Sequence, residues 1–365
     1  MIKKLNIQDF KIKDFNVSET LPSIIYRDID FYNFEQKNII SKTWQYVCSV
    51  NEIKNKGDYY ISQVSNNPII ISRGEDEKIR AFYNVCSHRA GPIALKNGNC
   101  NVLKCKYHGW TYNHQGKLIG LPEFEGVENF DKNNFGLKLI NIDIWENLIF
   151  INLSNESEPL SEYIKGIKER ISPINLSTKK FYKRIVYNIN CNWKVYVDNY
   201  LEGYHLIQVH PELNDLLDYK NYITEAYKYY SLQYSPFKSG ENIYTSNDNG
   251  EAFYYFIYPN LMLNILPNRL QTNLVIPESV DKTKVIFDYY YDDIESDLSK
   301  KIINDDLEYS DIIQKQDIEI CENVQLGLES NVYNKGRLSV KRELGLYHFQ
   351  NLIRKDYFST LLGNE

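Results

Sequence analysis

The pattern of apolar and polar positions changes texture along the chain. In residues 28–46, DIDFYNFEQKNIISKTWQY, Phe31, Phe34, Ile39, Ile40 and Trp44 recur at helix-like intervals and predict one amphipathic helix. From GDYYISQV to about Asn155 the chain becomes short apolar runs broken by Gly, Asn and Pro, among them PIIISR, KIRAFYNV and NLIFINL. That block predicts a small all-β unit. A second β-rich stretch follows in RIVYNINCNWKVYV, AYKYYSLQY, EAFYYFIYPNLMLNIL and KVIFDYYYDD, interrupted by DNYLEGYHLIQVH (198–210), which reads as helical to Gly203 or beyond. Further on, DDLEYSDIIQKQDIEICENVQLGLES lacks Pro and repeats Tyr309, Ile313, Ile320, Val324 and Leu328 on one stripe, which predicts a long helix. The expected plan is α+β: a β-rich insert, residues 40–155, in a larger domain built from 1–39 and 156–365.

Composition narrows the function classes. A chain of 365 residues, 43% apolar and 25% charged, can bury a large core. A net charge of −6 argues against a nucleic-acid or anionic-membrane partner, since either favours a basic face. The N-terminal MIKKLNIQDFKIKDFNVS has no apolar run typical of a signal peptide, and no stretch is long and apolar enough to span a membrane, so the cytoplasm is expected. Six dispersed cysteines do not form a disulfide framework; in a reducing compartment, clustered ones point to metal. The 31 tyrosines fit half-buried strands, and their ring faces could also hold a cation.

Two constellations carry chemistry. In NVCSHRAGPIALKNGNCNVLKCKYHGWTY, Cys86 and His88 form C-x-H, and Cys105 and His108 form C-x-x-H. Two thiolates and two imidazoles could bind zinc tetrahedrally, or a [2Fe–2S] cluster with two thiolates on one iron and two imidazoles on the other. Spacing alone leaves both open. C-x-H is tight for a zinc knuckle, and Gly109 beside the second histidine would let a backbone N–H approach an inorganic sulfur, so context favours the cluster. Cys100 has no histidine three positions later and reads as a small core residue.

The second constellation is Glu202, His205 and His210. At about 100° per residue, positions 205 and 210 lie roughly 140° apart on an ideal helix, so both can face one ion only if the helix breaks. Pro211 supplies a cause by pushing His210 out of the α region. Glu202, one turn before His205, is a ligand, an acceptor for His205 or a solvated carboxylate. Two histidines and one carboxylate make the facial triad of non-haem Fe(II) sites that activate oxygen. In the long helix Asp317 lies roughly 40° from Ile313, on the apolar stripe, while Asp311, Glu319 and Glu322 fall on the far side. Asp306 shares the stripe but reads as a first-turn acid explained by the helix dipole. Asp317 is thus the candidate third ligand, with a buried salt bridge as the competing account.

CSHRAGP with CKYHGWTYNHQGKL resembles the Rieske domain of Rieske-type non-haem iron oxygenases, and NWKVYVDNYLEGYHLIQVH with QDIEICENVQLGLES resembles their catalytic stretches. The match runs from about Tyr26 to Phe349. Lys106 stands where members usually have Pro. The resemblance implies an N-terminal all-β Rieske domain inserted after the first helix. It also implies a larger helix-grip catalytic domain with an antiparallel sheet and a long C-terminal helix. It implies Cys86, His88, Cys105 and His108 as [2Fe–2S] ligands and His205, His210 and Asp317 as ligands of mononuclear Fe(II). Glu202 matches the acidic residue that bridges the two irons between neighbouring subunits; Asp198, by position, either orients a ligand or is a solvated carboxylate.

O2 as co-substrate, a homotrimer, and a separate NAD(P)H-dependent flavin and iron–sulfur reductase or ferredoxin are further implied. HRAGP and DNYLEGYH look like the branch containing choline monooxygenase and carnitine oxygenase. The expected reaction is therefore hydroxylation or oxidative N-dealkylation of a small quaternary ammonium substrate. Hydroxylation of an aromatic or other apolar substrate and a non-catalytic Rieske electron carrier are the alternatives.

Overall fold

The computed structural model describes residues 5, 7–210, 218–237 and 251–362. The chain divides into two compact units, Ile39–Leu160 and the paired segments Met1–Asn38 and Ser161–Glu365. No helix among the described residues is long and apolar enough to cross a membrane.

The first helix is shorter than its 28–46 pattern predicts. It spans Ile29–Asn38 and buries Phe31 and Phe34. β-branched Ile39, Ile40 and Thr43 lose rotamer freedom against a preceding helical turn, and after a short 3-10 turn Gln45–Ser49 becomes a fully buried strand.

In the unit Ile39–Leu160, strand Gln45–Ser49 edges a seven-stranded sheet that continues through Leu148–Asn152, Leu139–Trp145, Ile79–Tyr83, Asn67–Arg73, Asp58–Val64 and Gly98–Asn99. All the pairings are antiparallel. Alternation along Asn67–Arg73 sends Ile69 and Ile71 into one apolar cluster and Ile70 into another. Ile70 and Phe82 meet Trp110, Tyr112 and the two candidate cysteines, Cys86 and Cys105, beside a small sheet of Leu103–Lys104, Thr111–Tyr112 and Leu118–Gly120.

The other unit is built on a seven-stranded antiparallel sheet in the order Lys180–Ile189, Thr283–Tyr291, Arg269–Pro277, Leu261–Leu266, Glu251–Ile257, Tyr230–Pro236, Ile223–Ala226. The long helix spans Asp297–Glu329, capped by the Ser296 side chain, which accepts from Ser299 N. Its early start corrects the reading of Asp306, which lies in the helix interior, 1% exposed, and binds Arg269 and the Tyr291 hydroxyl. The buried stripe also differs from expectation: Val324 is exposed, and Ile303, Gln314, Cys321, Gln325 and Leu328 are buried. Polar groups fix that rotation. Asp311 accepts from the Tyr187 hydroxyl at 2.9 Å, Glu322 from Asn190 N at 2.9 Å and Gln325 from Asn192 N at 3.0 Å, clipping the helix to the strand Lys180–Ile189 and the turn after it.

A further helix, Leu344–Leu362, follows the long one, which is therefore not the last element. Leu346, Phe349, Ile353 and Tyr357 form its buried stripe at regular helical spacing. Tyr357 donates to Glu35 at 2.8 Å, and Glu35 also takes Trp193 Nε1 and Lys194 Nζ, each at 2.8 Å. The Glu35–Lys194 pair is fully buried; breaking such a pair by removing one partner typically costs ~3–5 kcal/mol. It anchors the first turn of the helix Trp193–Tyr200, which is capped by the Asn192 side chain.

Candidate active site

The two cysteine–histidine loops are near copies of each other. Cys86 N donates to Gly91 O and Ala90 N to Cys86 O; likewise Cys105 N donates to Trp110 O and Gly109 N to Cys105 O. The fifth residue of each loop, Ala90 or Gly109, has positive φ, 58° and 76°. Gly109 therefore serves the left-handed turn, and its N–H is taken by the Cys105 carbonyl rather than offered to a sulfur. Lys106 N donates to Pro92 O and ties the loops together.

Both thiols are buried, and burial raises the Cys86 thiol above its usual range while the Tyr112 hydroxyl, 3.1 Å away, opposes that rise. His88 stacks on Trp110 with centroids 4.7 Å apart and meets His108 edge-on at 4.7 Å. His88 Nδ1 is buried with no hydrogen-bond partner. A Cβ at Gly91 would come within 3.1 Å of Cys105 Sγ. Two neighbouring thiols, two neighbouring imidazoles and an orphaned ring nitrogen fit a [2Fe–2S] group with the pairs on different irons. They do not fit one tetrahedral ion: among the described residues, the donor group close enough for a single metal lies elsewhere. Cys100 packs against the same cluster from a partly buried position.

That other group is His205, His210 and Asp317, whose donor atoms lie within 4.8 Å of one another. The helix Trp193–Tyr200 stops before Gly203, and the short helix Leu206–Val209 carries His205 at its start and His210 at its end. The chain breaks at 201–204 before both histidines, but what turns them toward each other is the helix end between them, after Val209. His210 has φ −124°, ψ 71°, outside the α region; Pro211 lies outside the described residues. Glu202 steadies the break. Its Oε2 accepts from Tyr204 N and His205 N, and its Oε1 lies 2.5 Å from His205 Nδ1.

His210 Nδ1 lies 2.7 Å from Gln316 Oε1, so both imidazoles have Nδ1 on an acceptor and Nε2 toward Asp317, at 3.0 Å from His210 and 3.8 Å from His205. An Nδ1–H tautomer that turns both Nε2 lone pairs toward one carboxylate fits a divalent iron. Asn199 Nδ2 donates to Asp317 Oδ1 at 2.6 Å. Asn199 and Gln316 went unread in the sequence; the available signal was position, one turn before Glu202 and next to Asp317.

Asp198 points elsewhere. Its Oδ2 accepts from the Tyr26 hydroxyl at 2.6 Å and Gln350 Nε2 at 3.2 Å, and its Oδ1 is buried without a partner, although the residue as a whole is only part-buried. Burial pushes its carboxyl up to about 7, against lowering by Tyr26, Gln350 and Lys194.

The triad opens on a cavity between the sheet and the helices Trp193–Tyr200 and Asp297–Glu329. Strand alternation makes its floor: Arg269, Gln271 and Asn273 project from one strand, Asn264 and Leu266 from the next. Gln233, Tyr254, Asn264 and Gln271 sit opposite one another in register across four strands. Tyr196, Tyr200, Tyr222 and Tyr309 complete an aromatic lining with Phe287.

Comparison with known proteins agrees with this architecture. Residues 43–131 match the Rieske [2Fe-2S] domain and residues 176–357 the ring hydroxylating alpha subunit (catalytic domain). Chloroplastic choline monooxygenase of Arabidopsis thaliana is 35% identical over 350 residues, covering 92% of this chain and 82% of the relative. The carnitine monooxygenase oxygenase subunit of Escherichia coli (strain K12) is 28% identical, with 92% of each chain covered. The quaternary ammonium Rieske monooxygenase CntA in complex with L-carnitine superposes with TM-score 0.85 at 28% identity, covering 97% of this chain and 99% of that one. A naphthalene 1,2-dioxygenase shares the fold, with TM-score 0.76 at 17% identity and 97% and 95% coverage. With both domains in order and a 35% identical relative matched over 92% of this chain, the chain belongs to the Rieske-type non-haem iron oxygenases, as an oxygenase alpha subunit with a [2Fe–2S] cluster and a mononuclear iron.

Proposed function

We propose that the chain is the oxygenase component of a system that inserts one atom of O2 into a small quaternary ammonium substrate, by hydroxylation or oxidative N-dealkylation. The observation that carries this reading is the tyrosine-lined cavity opening on the His205–His210–Asp317 triad. Ring faces attract a desolvated quaternary cation by up to ~2 kcal/mol each. Glu202 adds negative charge to the same walls. The floor amides are held among themselves and their neighbours, Gln233 by Tyr200 and Tyr222, Asn264 by Tyr200 and Gln271 by Asn273. The relatives named for choline and carnitine oxidation support the same class.

When bound, the cluster supplies electrons singly and the ferrous ion activates O2, so that substrate, O2, two electrons and two protons give hydroxylated product and water. In this reading Cys86, His88, Cys105 and His108 hold the cluster and His205, His210 and Asp317 the ion. Glu202 orients His205 and bridges toward the cluster of a neighbouring subunit in a homotrimer. Exposed Tyr204 and Ile207 beside Glu202 suit such an interface. A flavin and iron–sulfur reductase or ferredoxin would deliver NAD(P)H electrons. The exposed Arg89 over Tyr107, with Lys106, offers that partner a basic contact near the cluster. Free cysteines fit residence in the cytoplasm.

Gln316 fixes the His210 tautomer, so Gln316→Leu is expected to weaken iron binding by ~10–100-fold in a chelator competition while leaving the cluster spectrum intact. Unchanged iron affinity would remove Gln316 from the site. The substrate reading is tested by reductase-coupled turnover on choline, carnitine and betaines beside simple arenes. Product formation matching NADH use with at least one ammonium compound is expected. Uncoupled NADH use with all of them would contradict the reading.

A further inference from the structure

We propose that the cavity selects a cationic alcohol over a zwitterion: Gln314 Nε2 receives a neutral oxygen of the substrate, and a carboxylate is refused because the charge of Arg269 is held by Asp306. The inference rests on the quaternary ammonium reading and specifies which members of that class fit.

Gln314 is 2% exposed and lines the cavity one helical turn before Asp317. Its Oε1 accepts from the Tyr196 hydroxyl at 2.8 Å, which fixes the orientation of the amide. Its Nε2 is buried with no hydrogen-bond partner. An unmet buried donor costs free energy, and a substrate oxygen arriving there removes the cost. A hydroxyl can accept that bond without bringing a negative charge to desolvate.

Arg269 is the one Lys or Arg among the described residues lining the cavity. Its Nη1 binds Asp306 Oδ1, and Asp306 also takes the Tyr291 hydroxyl, with the two ionic side chains 6% and 1% exposed. As a unit the pair is neutral. A substrate carboxylate would compete with Asp306 for one guanidinium and would face Glu202, the cavity acid that is not read as an iron ligand. Glu202 and the tyrosine rings favour a cation. Discrimination therefore has an attractive part in Gln314 and a repulsive part in Asp306 and Glu202.

Calorimetric binding to the metal-loaded protein, with ligands matched except for the oxygen group, tests this. Choline is expected to bind ~10-fold or more tighter than glycine betaine, and the methyl ester of γ-butyrobetaine similarly tighter than its free acid. Asp306→Asn should shift both ratios toward the carboxylate by ~10-fold as the Arg269 charge is released. Gln314→Met should cost choline ~10-fold and leave ethyltrimethylammonium, which lacks the hydroxyl, unchanged.

Carboxylates binding as tightly as alcohols, or unshifted ratios in a folded Asp306→Asn, would overturn the inference while sparing the quaternary ammonium reading. Binding of no ammonium compound would overturn that reading itself. Should circular dichroism show Asp306→Asn unfolded, the wild-type pairs and Gln314→Met decide.

Discussion

Replacing Asp317 with alanine is expected to empty the mononuclear site and leave the Rieske spectrum intact, with product formation falling by well over ~100-fold. Asp317 is the anionic member of the triad and lies within 3.8 Å of the Nε2 atoms of both histidines. Changes to groups that only support a ligand already cost ~10–100-fold in metal affinity or activity, and loss of the ligand costs more. The variant should fold. Asp317 is part-buried on a 33-residue helix held elsewhere by Asp306, Asp311, Glu322 and Gln325. Asn199 loses its acceptor but keeps access to the cavity. Retained mononuclear iron, read by metal analysis beside the cluster absorption, would assign the carboxylate ligand to another residue.

Replacing Glu202 with glutamine is expected to keep both metals and to slow electron transfer between them, lowering product formation by on the order of 100-fold. The amide retains one acceptor oxygen for His205 Nδ1, so the tautomer that frees Nε2 survives. It loses the negative charge, and it leaves Tyr204 N and His205 N facing an NH2 group instead of Oε2. In a stopped-flow experiment the prereduced cluster of the variant should stay reduced after O2 and substrate are added, whereas that of the unsubstituted protein reoxidises. Full activity in Glu202→Gln would exclude the bridging role.

The triad was legible because its signals are local. The spacing of His205 and His210 demanded a broken helix, and helical phase picked Asp317 from among the acids of one long helix. The helix end at His210 was read where it lies, with His210 outside the α region; the additional turn at 201–204 was not, since it depends on the Glu202 carboxylate accepting two backbone N–H groups. The account of Asp306 failed for lack of a helix start: the Ser296 cap puts it well inside the helix.

Val324 failed for a related reason. An apolar stripe assumes that only apolar residues are buried, and here Gln314 and Gln325 take the inner face through specific partners. Asp198 was placed near the metal by position alone; its bonds to Tyr26 and Gln350 depend on segments far away in sequence.

The cavity was the least legible part. Asn264, Gln271 and Asn273 are alternating polar residues that read as an ordinary solvent face, and only the helices packed over that face turn it into a pocket wall. Tyrosine abundance pointed to the lining in kind, while the register of the sheet determines which tyrosines reach it. The helix Leu344–Leu362 was readable from the spacing of Leu346, Phe349, Ile353 and Tyr357 and shows that the same periodicity argument extends past the long helix.

Iron, acid-labile sulfide and zinc determined together on anaerobically purified protein test the two-centre account most directly. About three irons and about two sulfides per chain, without zinc, are predicted; zinc in place of iron, or only about two irons, would contradict it.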